Sequence, residues 1–451
     1  MEDTIAVIST ALGTSAISIV RVTGPDSIPI VNKIFKGDNL IKSPTHTIHY
    51  GHIIDNDLII DEVLVMLMKA PKTYTKEDVV EINCHGGVTT TKTILELLYR
   101  NGCRPAEPGE FTKRAFLNGR IDLLEAEGVM DLINAKTEEM RKMAISNVSG
   151  NVSNLIRNLR QKISEVLANI EVNIDYPEYD DIDVIETKQI IPLMDYMKVE
   201  MEKILKESEN GQLLKEGITT SIIGKPNVGK SSLLNALLEE DKAIVTSIAG
   251  TTRDIVEGKI NLDGIILNII DTAGIRNTDD VVEKIGVEKS LAMMNKSDLV
   301  LMVLNNNEKI SDEELDIIKS LKNKKHILII NKIDLNRKIS ITDLKDHNLI
   351  EMSIKDKKGL FELKEKISEI FNLGEIATGD FTYLSNAREI SLLKESYNSL
   401  LDVIKGINER VPIDMIEIDL KNIWNMLGKI TGDTYEEELI DQLFSQFCLG
   451  K

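Results

Sequence analysis

The chain has 451 residues, room for about three domains of ordinary size, and its 54 Lys and Arg against 73 Asp and Glu leave a net charge of −19. That acidity excludes a protein that grips nucleic acid through a bulk basic surface. Three cysteines, Cys84, Cys103 and Cys448, are too few and too scattered for a disulfide framework or a four-ligand zinc site; with no signal-peptide pattern and no apolar run of about 18 residues, the expectation is a cytoplasmic protein without a membrane span.

Residues 1–118 alternate short apolar runs (5–10, 16–22, 58–68, 78–84) with turn signals and a helical stretch at 89–102, which predicts a mixed α+β domain. This segment holds 12 basic and 14 acidic residues, a net of −2, so the remaining −17 lies downstream. Across 122–174 apolar residues recur at three- and four-residue spacing, predicting long helices. The stretch 171–186 carries seven acids and no base and reads as a solvated connection, followed by a helix over roughly 188–207. From 218 to about 373 buried β runs (219–224, 265–270, 298–305, 326–331) alternate with helical stretches, the pattern of βαβ units around a mostly parallel sheet. Helical periodicity returns from about 381 to the end, where Trp424 falls at helical spacing with Ile423, Leu427 and Ile430 and reads as core. The expected division is an α+β domain at 1–118, a helical domain at 119–216 and 376–451, and an α/β domain at 217–375 inserted into it; two separate helical domains are the alternative.

The run over 219–223 leads into Gly224-Lys225-Pro226-Asn227-Val228-Gly229-Lys230-Ser231 and then a helical stretch starting at Ser232, the strand–loop–helix setting a phosphate loop requires. Its glycines let backbone N–H groups close around phosphates, Lys230 reaches the β/γ-phosphates and Ser231 offers its hydroxyl to Mg²⁺. Asp271-Thr272-Ala273-Gly274 ends the run over 265–270, where a carboxylate suits the metal shell and a Gly N–H the γ-phosphate. Asn331-Lys332-Ile333-Asp334 ends the run over 326–331, and the Asp334 carboxylate can accept from guanine N1–H and N2–H₂. Adenine offers neither donor in that arrangement, so the nucleotide is expected to be GTP. Together these motifs resemble the translation-factor-like class of P-loop GTPases. The last guanine element, Ser-Ala-Lys in that class, is Ser353-Ile354-Lys355 here; its role is mainly a backbone contact, which Ser353 retains. The position after Gly274, often a water-orienting Gln, is Ile275, which cannot orient water. Either an outside group assists hydrolysis or Asp279, Asp280 or Glu283 does so; those acids would equally suit the start of a helix.

Further motifs are Asp3-Thr4-Ile5-Ala6, Tyr74 through Glu81 with Cys84-His85-Gly86-Gly87, Pro108-Gly109-Glu110-Phe111-Thr112, Arg114 through Gly119, Gly250-Thr251-Thr252-Arg253-Asp254, and Cys448-Leu449-Gly450-Lys451. With these the chain resembles, over essentially its full length, the MnmE (TrmE) family of tRNA modification GTPases, within the TrmE-Era-EngA-YihA-Septin-like GTPases. The resemblance implies a Ras-like GTPase domain that is activated by dimerisation of G domains across a homodimer and stimulated by K⁺ in place of an arginine finger. It assigns K⁺ to Asn227, Thr246, Ile248 and Thr251, Mg²⁺ to Ser231 and Thr252, and the water-orienting role to Glu283. The GTP site would add Val228, Gly229, Lys230, Ser232, Ser247, Ala249 and Gly250. It also implies that residues 1–118 bind a tetrahydrofolate derivative (5-formyl or methylene form) and dimerise, with folate positions at Arg21, Glu81, Arg120 and Lys451. Position 120 is Arg where the family commonly has Lys, and the loop over 11–16 lacks the family's glycine-rich run. Cys448 is a possible functional thiol, although a structural role in placing the tail weighs more. The implied activity is addition of a carboxymethylaminomethyl or aminomethyl group at C5 of the wobble uridine of tRNA, with the FAD-dependent partner MnmG (GidA) in a heterotetramer or larger complex. A GTPase switch that regulates a partner without one-carbon chemistry is the alternative.

Overall fold

The computed structural model describes residues 3–175, 187–240, 256–262, 264–270, 294–341, 344, 346–373, 384–448 and 450. The chain divides into two compact units: residues 1–134, 144–202 and 391–451 form one, and residues 135–143 and 203–390 the other.

In the first unit, β1 (Ile5–Ile8), β2 (Ser15–Thr23), β3 (Phe35–Lys36), β4 (Thr47–Asp55), β5 (Leu58–Met68), β6 (Val79–Gly86) and β7 (Arg104–Pro105) form a sheet in the order β3-β4-β5-β6-β2-β1-β7. Alternation decides its faces. Val20, Val22, Val65, Leu67, Val80 and Ile82 point into a core shared with Ile28, Val31, Ile94 and Leu98 of α1 (Ser27–Ile34) and α2 (Val88–Arg100). The other face carries the cross-strand row Ile48, Met66, Glu81 and Arg21, paired in register across β4, β5, β6 and β2. Ile17, Ile48, Tyr50 and Leu64 on this face are exposed. The unit continues through α3 (Glu110–Leu117), α4 (Leu123–Asn134), α5 (Glu138–Val148, shared with the other unit), α6 (Asn151–Asp175) and the start of α7 (Thr187–Glu216).

The second unit contains β8 (Ile218–Ile223), α8 (Lys230–Glu240), β9 (Val256–Leu262), β10 (Ile265–Ile270), β11 (Leu299–Asn305), α9 (Asp312–Ser320), β12 (His326–Asn331), β13 (Leu349–Glu351) and α10 (Leu360–Ile370). The sheet order is β13-β12-β11-β8-β10-β9, parallel except for the β9–β10 hairpin. Strands such as β11 and β12 are buried along nearly their whole length because helices cover both faces of a parallel sheet. This is the expected Ras-like α/β fold. Met143 of α5 lies in this unit's core with Leu214, Ile218 and Leu262. The chain then returns to the first unit through α11 (Ala387–Asn408), α12 (Ile413–Thr431) and α13 (Glu437–Ser445).

Three local expectations change. Residues 171–175 continue α6 and are not a connection, while 176–186 lie outside the described residues. Helix α7 runs to Glu216, beyond the expected end near 207, because Leu213 and Leu214 after the polar stretch pack into the α/β core and the Ser208 hydroxyl donates back to the Ile204 carbonyl at 2.6 Å. Trp424 is only half-buried: Arg160 lies 4.0 Å over its ring and donates to its carbonyl at 3.3 Å, so the indole covers a guanidinium rather than filling the core.

Candidate functional site

The phosphate loop leaves the C-terminal end of β8, where Gly224 takes φ +143°; a Cβ there would lie 2.4 Å from the Val303 carbonyl, so only glycine fits. Asn227 adopts φ +61°, a left-handed position that Asn tolerates better than most residues. Gly229 takes φ +106°, and a Cβ would meet Asn331 Nδ2 at 2.3 Å. Lys230 opens α8 and its Nζ donates to the carbonyls of Gly224 (2.7 Å) and Lys225 (2.6 Å). Burial lowers the Lys230 amine below its ordinary value. Ser231 and Ser232 follow in the first turn of α8, where backbone N–H groups favour an anion.

The guanine elements are stitched to this loop. Asn331, almost wholly buried, donates from Nδ2 to the Val228 carbonyl at 2.8 Å and accepts from the Ile354 N–H at 3.5 Å. Lys332, at φ +65°, donates to the Asn227 carbonyl at 2.7 Å. Asp334 Oδ1 accepts from the buried Ser353 hydroxyl at 3.0 Å, and Ser353 Oγ accepts in turn from the Asp356 N–H at 3.3 Å. The structure therefore brings Asn227, Val228, Gly229, Lys230, Ser231, Ser232, Asn331, Lys332, Asp334 and Ser353 to the C-terminal ends of β8 and β12. The expected residues Thr246, Ser247, Ile248, Ala249, Gly250, Thr251, Thr252, Asp271, Thr272, Ala273, Gly274 and Glu283 lie outside the described residues, as does Lys451. A loop that excludes Cβ atoms at two glycines and seats a half-buried lysine fits a polyphosphate; of the Mg²⁺ positions, Ser231 is in place beside it.

On the outer face of the first unit's sheet, Arg21 Nε donates to Glu81 Oε1 at 2.7 Å, and Arg21 Nη1 donates to the Gly450 carbonyl at 3.0 Å. Both side chains of the pair are largely buried, and the Arg21 guanidinium lies 5.7 Å from the Phe111 ring centroid. Gly450, at φ +96°, passes close to Ser9, and the Cys448 carbonyl accepts from the Gly109 N–H at 3.3 Å. Arg21, Glu81 and the tail thus converge, with an arginine beside a carboxylate that uses one oxygen for the pair. That donor set fits an aminopyrimidine ring and a carboxylate tail. Arg120 does not join the pair; its guanidinium stacks 4.7 Å over Tyr74, which packs on the same Phe111 cluster. The Cys448 side chain is exposed. Cys84 and Cys103 are buried, and burial raises both thiols, Cys103 to about 12, so they are poor nucleophiles.

Two contacts were not legible in the motifs. Lys225 Nζ lies 3.3 Å from Glu314 Oε2, a carboxylate that also completes the capping box of α9 with Ser311. Asn306, just after β11, sits under the guanine loop. The polar run Asn305-Asn306-Asn307 closing an apolar strand is its sequence signal, and the structure adds that Asn306 is buried there.

A mostly parallel sheet with a glycine-constrained phosphate loop, a half-buried lysine and an Asn-Lys-x-Asp loop at its carboxyl edge defines a P-loop GTPase. A family model described as MnmE helical domain matches residues 123–448, and one described as GTP-binding protein TrmE N-terminus matches residues 4–120. The tRNA modification GTPase MnmE of Bacillus cytotoxicus is 54% identical over 455 residues, covering 100% of this chain and 99% of that protein. The protein of the same name from Bacillus mycoides is also 54% identical with the same coverage. The chain belongs to the MnmE (TrmE) family. Among solved structures, the G domain of the T. maritima FeoB iron transporter is 29% identical, with a TM-score of 0.26 over 34% of this chain and 98% of that one. Among the described residues no helix is long and apolar enough to cross a membrane.

Proposed function

We propose that this chain is the GTP-hydrolysing component of a complex that modifies tRNA at C5 of the wobble uridine, adding a carboxymethylaminomethyl or aminomethyl group. The carrying observation is the convergence of Arg21, Glu81 and Gly450 on one sheet face, in a chain related over its full length to tRNA modification GTPases. A GTPase that only switched a partner would need no such cluster in addition to its nucleotide loop.

In this reading residues 1–118 bind folate and dimerise, 119–216 and 376–451 form the helical domain, and 217–375 form the G domain. Glu81 accepts from the aminopyrimidine of a tetrahydrofolate derivative, while Arg21, Arg120 and Lys451 face its carboxylates. Bound there, the cofactor supplies the one-carbon unit. The exposed Ile17, Ile48, Tyr50 and Leu64 share the outer face with Arg21 and Glu81, so pairing with a second copy would bury apolar surface and enclose the cofactor's surroundings together. In the G domain, Lys230 and the loop N–H groups hold the β/γ-phosphates, and Ser231 and Thr252 hold Mg²⁺. Asn227, Thr246, Ile248 and Thr251 hold K⁺, a cation that offsets the charge developing in the transition state, and Glu283 orients the attacking water in place of the absent Gln. The FAD-dependent partner MnmG joins in the cytoplasm.

Mass analysis of tRNA nucleosides from cells lacking this chain is the test: wobble uridines without the C5 group are expected, and unchanged nucleosides would leave only a regulatory switch. GTP turnover is expected to be faster in KCl than in NaCl, with Glu283→Ala losing turnover but keeping GTP binding. Equal rates in the two salts count against the cation mechanism.

A further inference from the structure

We propose that Asn306 is a positioning residue for base specificity, acting through the loop that carries Asp334. Asn306 is 2% exposed and follows β11. Its N–H donates to the Asn331 carbonyl at 2.9 Å, and its carbonyl accepts from the N–H groups of Lys338 (2.8 Å) and Ile339 (3.2 Å). Its side-chain Nδ2 donates to the Leu335 carbonyl at 2.9 Å and to the Lys332 carbonyl at 3.4 Å, while Oδ1 accepts from Arg337 Nε at 3.2 Å. One buried residue therefore grips both ends of the segment 331–339 and its interior on either side of Asp334. Arg337 also reaches Glu351 Oε2, on β13, at 2.5 Å, which fixes the outer end of the same loop.

The chemistry requires such a brace. A carboxylate discriminates guanine only if both oxygens meet N1–H and N2–H₂ at once, and the loop around Asp334 departs from regular structure, with Lys332 at φ +65°. Only a side chain with a donor and an acceptor can serve two carbonyls and a guanidinium together. Asp would present oxygen to the Lys332 and Leu335 carbonyls and push the loop away.

The inference rests on Asp334 being the guanine acceptor, and that is tested separately. Asp334→Asn replaces an acceptor with a donor, so it should turn the full-length protein from GDP toward xanthosine diphosphate; continued preference for GDP would overturn the guanine reading and this one with it. Given that switch, Asn306→Asp is measured against GDP and inosine diphosphate, which lacks the 2-amino group but keeps ribose and phosphates. The GDP-to-IDP affinity ratio is expected to fall about tenfold, the effect of one mispositioned hydrogen bond to a charged group. A residue that merely stabilised the fold would lower both affinities and leave the ratio unchanged, and that result refutes the proposal. If Asn306→Asp does not fold, Arg337→Ala decides instead: a lowered ratio supports the brace and an unchanged ratio overturns it.

Discussion

Arg114 has no exposed surface, yet its guanidinium answers three acids. It donates to Asp3 Oδ1 (2.8 Å), Glu77 Oε2 (3.1 Å) and Glu110 Oε1 (2.9 Å), and also to the Asp3 carbonyl. Arg104 closes the network from the other side, onto Asp3 and both oxygens of Glu110. The short motifs at 3–6, 74–81, 108–112 and 114–119 thus meet in one ion cluster, buried at Arg114 and Glu110 and open to solvent at Asp3 and Arg104. Arg114→Met would leave Glu77 without its arginine and Glu110 with Arg104 alone, and a loss of about 3 kcal/mol in denaturant unfolding is expected. Burial alone raises the Asp3 and Glu110 carboxyls, but hydrogen bonds from Arg104, joined by Arg114, outweigh it and hold both below their ordinary values of 3.8 and 4.5. Groups with depressed folded pKa values stabilise above the ordinary value, and that stability disappears as pH falls through the folded value. Unfolding midpoints should therefore drop as pH falls from about 5 toward 3, and Arg104→Gln should flatten that part of the curve.

At the scale of elements, Gly109 joins α3 to the last helix. It sits at φ +68°, and an added Cβ would lie 2.4 Å from the Phe444 carbonyl and 2.7 Å from Phe447 Cβ. Gly109→Ala is expected to cost about 1–3 kcal/mol and to push the end of α13 off α3. Because Cys448 and Gly450 follow directly, limited proteolysis should cut the tail faster and calorimetry should find weaker binding of 5-formyltetrahydrofolate. An uncut tail with unchanged binding would contradict the proposed tail contribution. Elements of this kind differ in how far the sequence discloses them. Strands β11 and β12 were legible because nearly uninterrupted apolar runs leave little choice but a buried sheet, β5, β8 and β10 because short apolar runs end in turn or motif residues, and the phosphate loop because its glycines and lysine fall at the required spacing between a strand and a helix. Helix α5 was not: its residues 138–143 pack in the α/β unit, with Met143 in that core, although the helical period is the same throughout. Nor was Asn306, whose meaning lies in carbonyls up to 29 residues away. Periodicity specifies which face is buried, not against what.

For the whole molecule the decisive quantity is charge. Residues 1–118 carry a net of −2 and the remainder −17, so the segment with Arg21 and Glu81 is nearly neutral while the helical and GTPase portions repel a polyanion. Binding tRNA by neutralising phosphates needs several lysines or arginines acting together, each releasing a counterion. The described residues spend many of theirs internally: Arg21 on Glu81, Arg100 on Asp55, Arg104 and Arg114 on Asp3 and Glu110, Arg157 on Asp122, Arg160 on Asp433 and Arg337 on Glu351. If the chain works in a tRNA-modifying complex, its partner must supply most of the phosphate contacts. The isolated protein is therefore expected to bind tRNA more weakly than about 10⁻⁵ M at physiological salt, with a shallow slope of log K against log salt, and adding the partner should raise both affinity and slope. A tight, steeply salt-dependent complex with this chain alone would mean that the unfavourable net charge hides a local basic track, and the division of labour between the two proteins would have to be reversed.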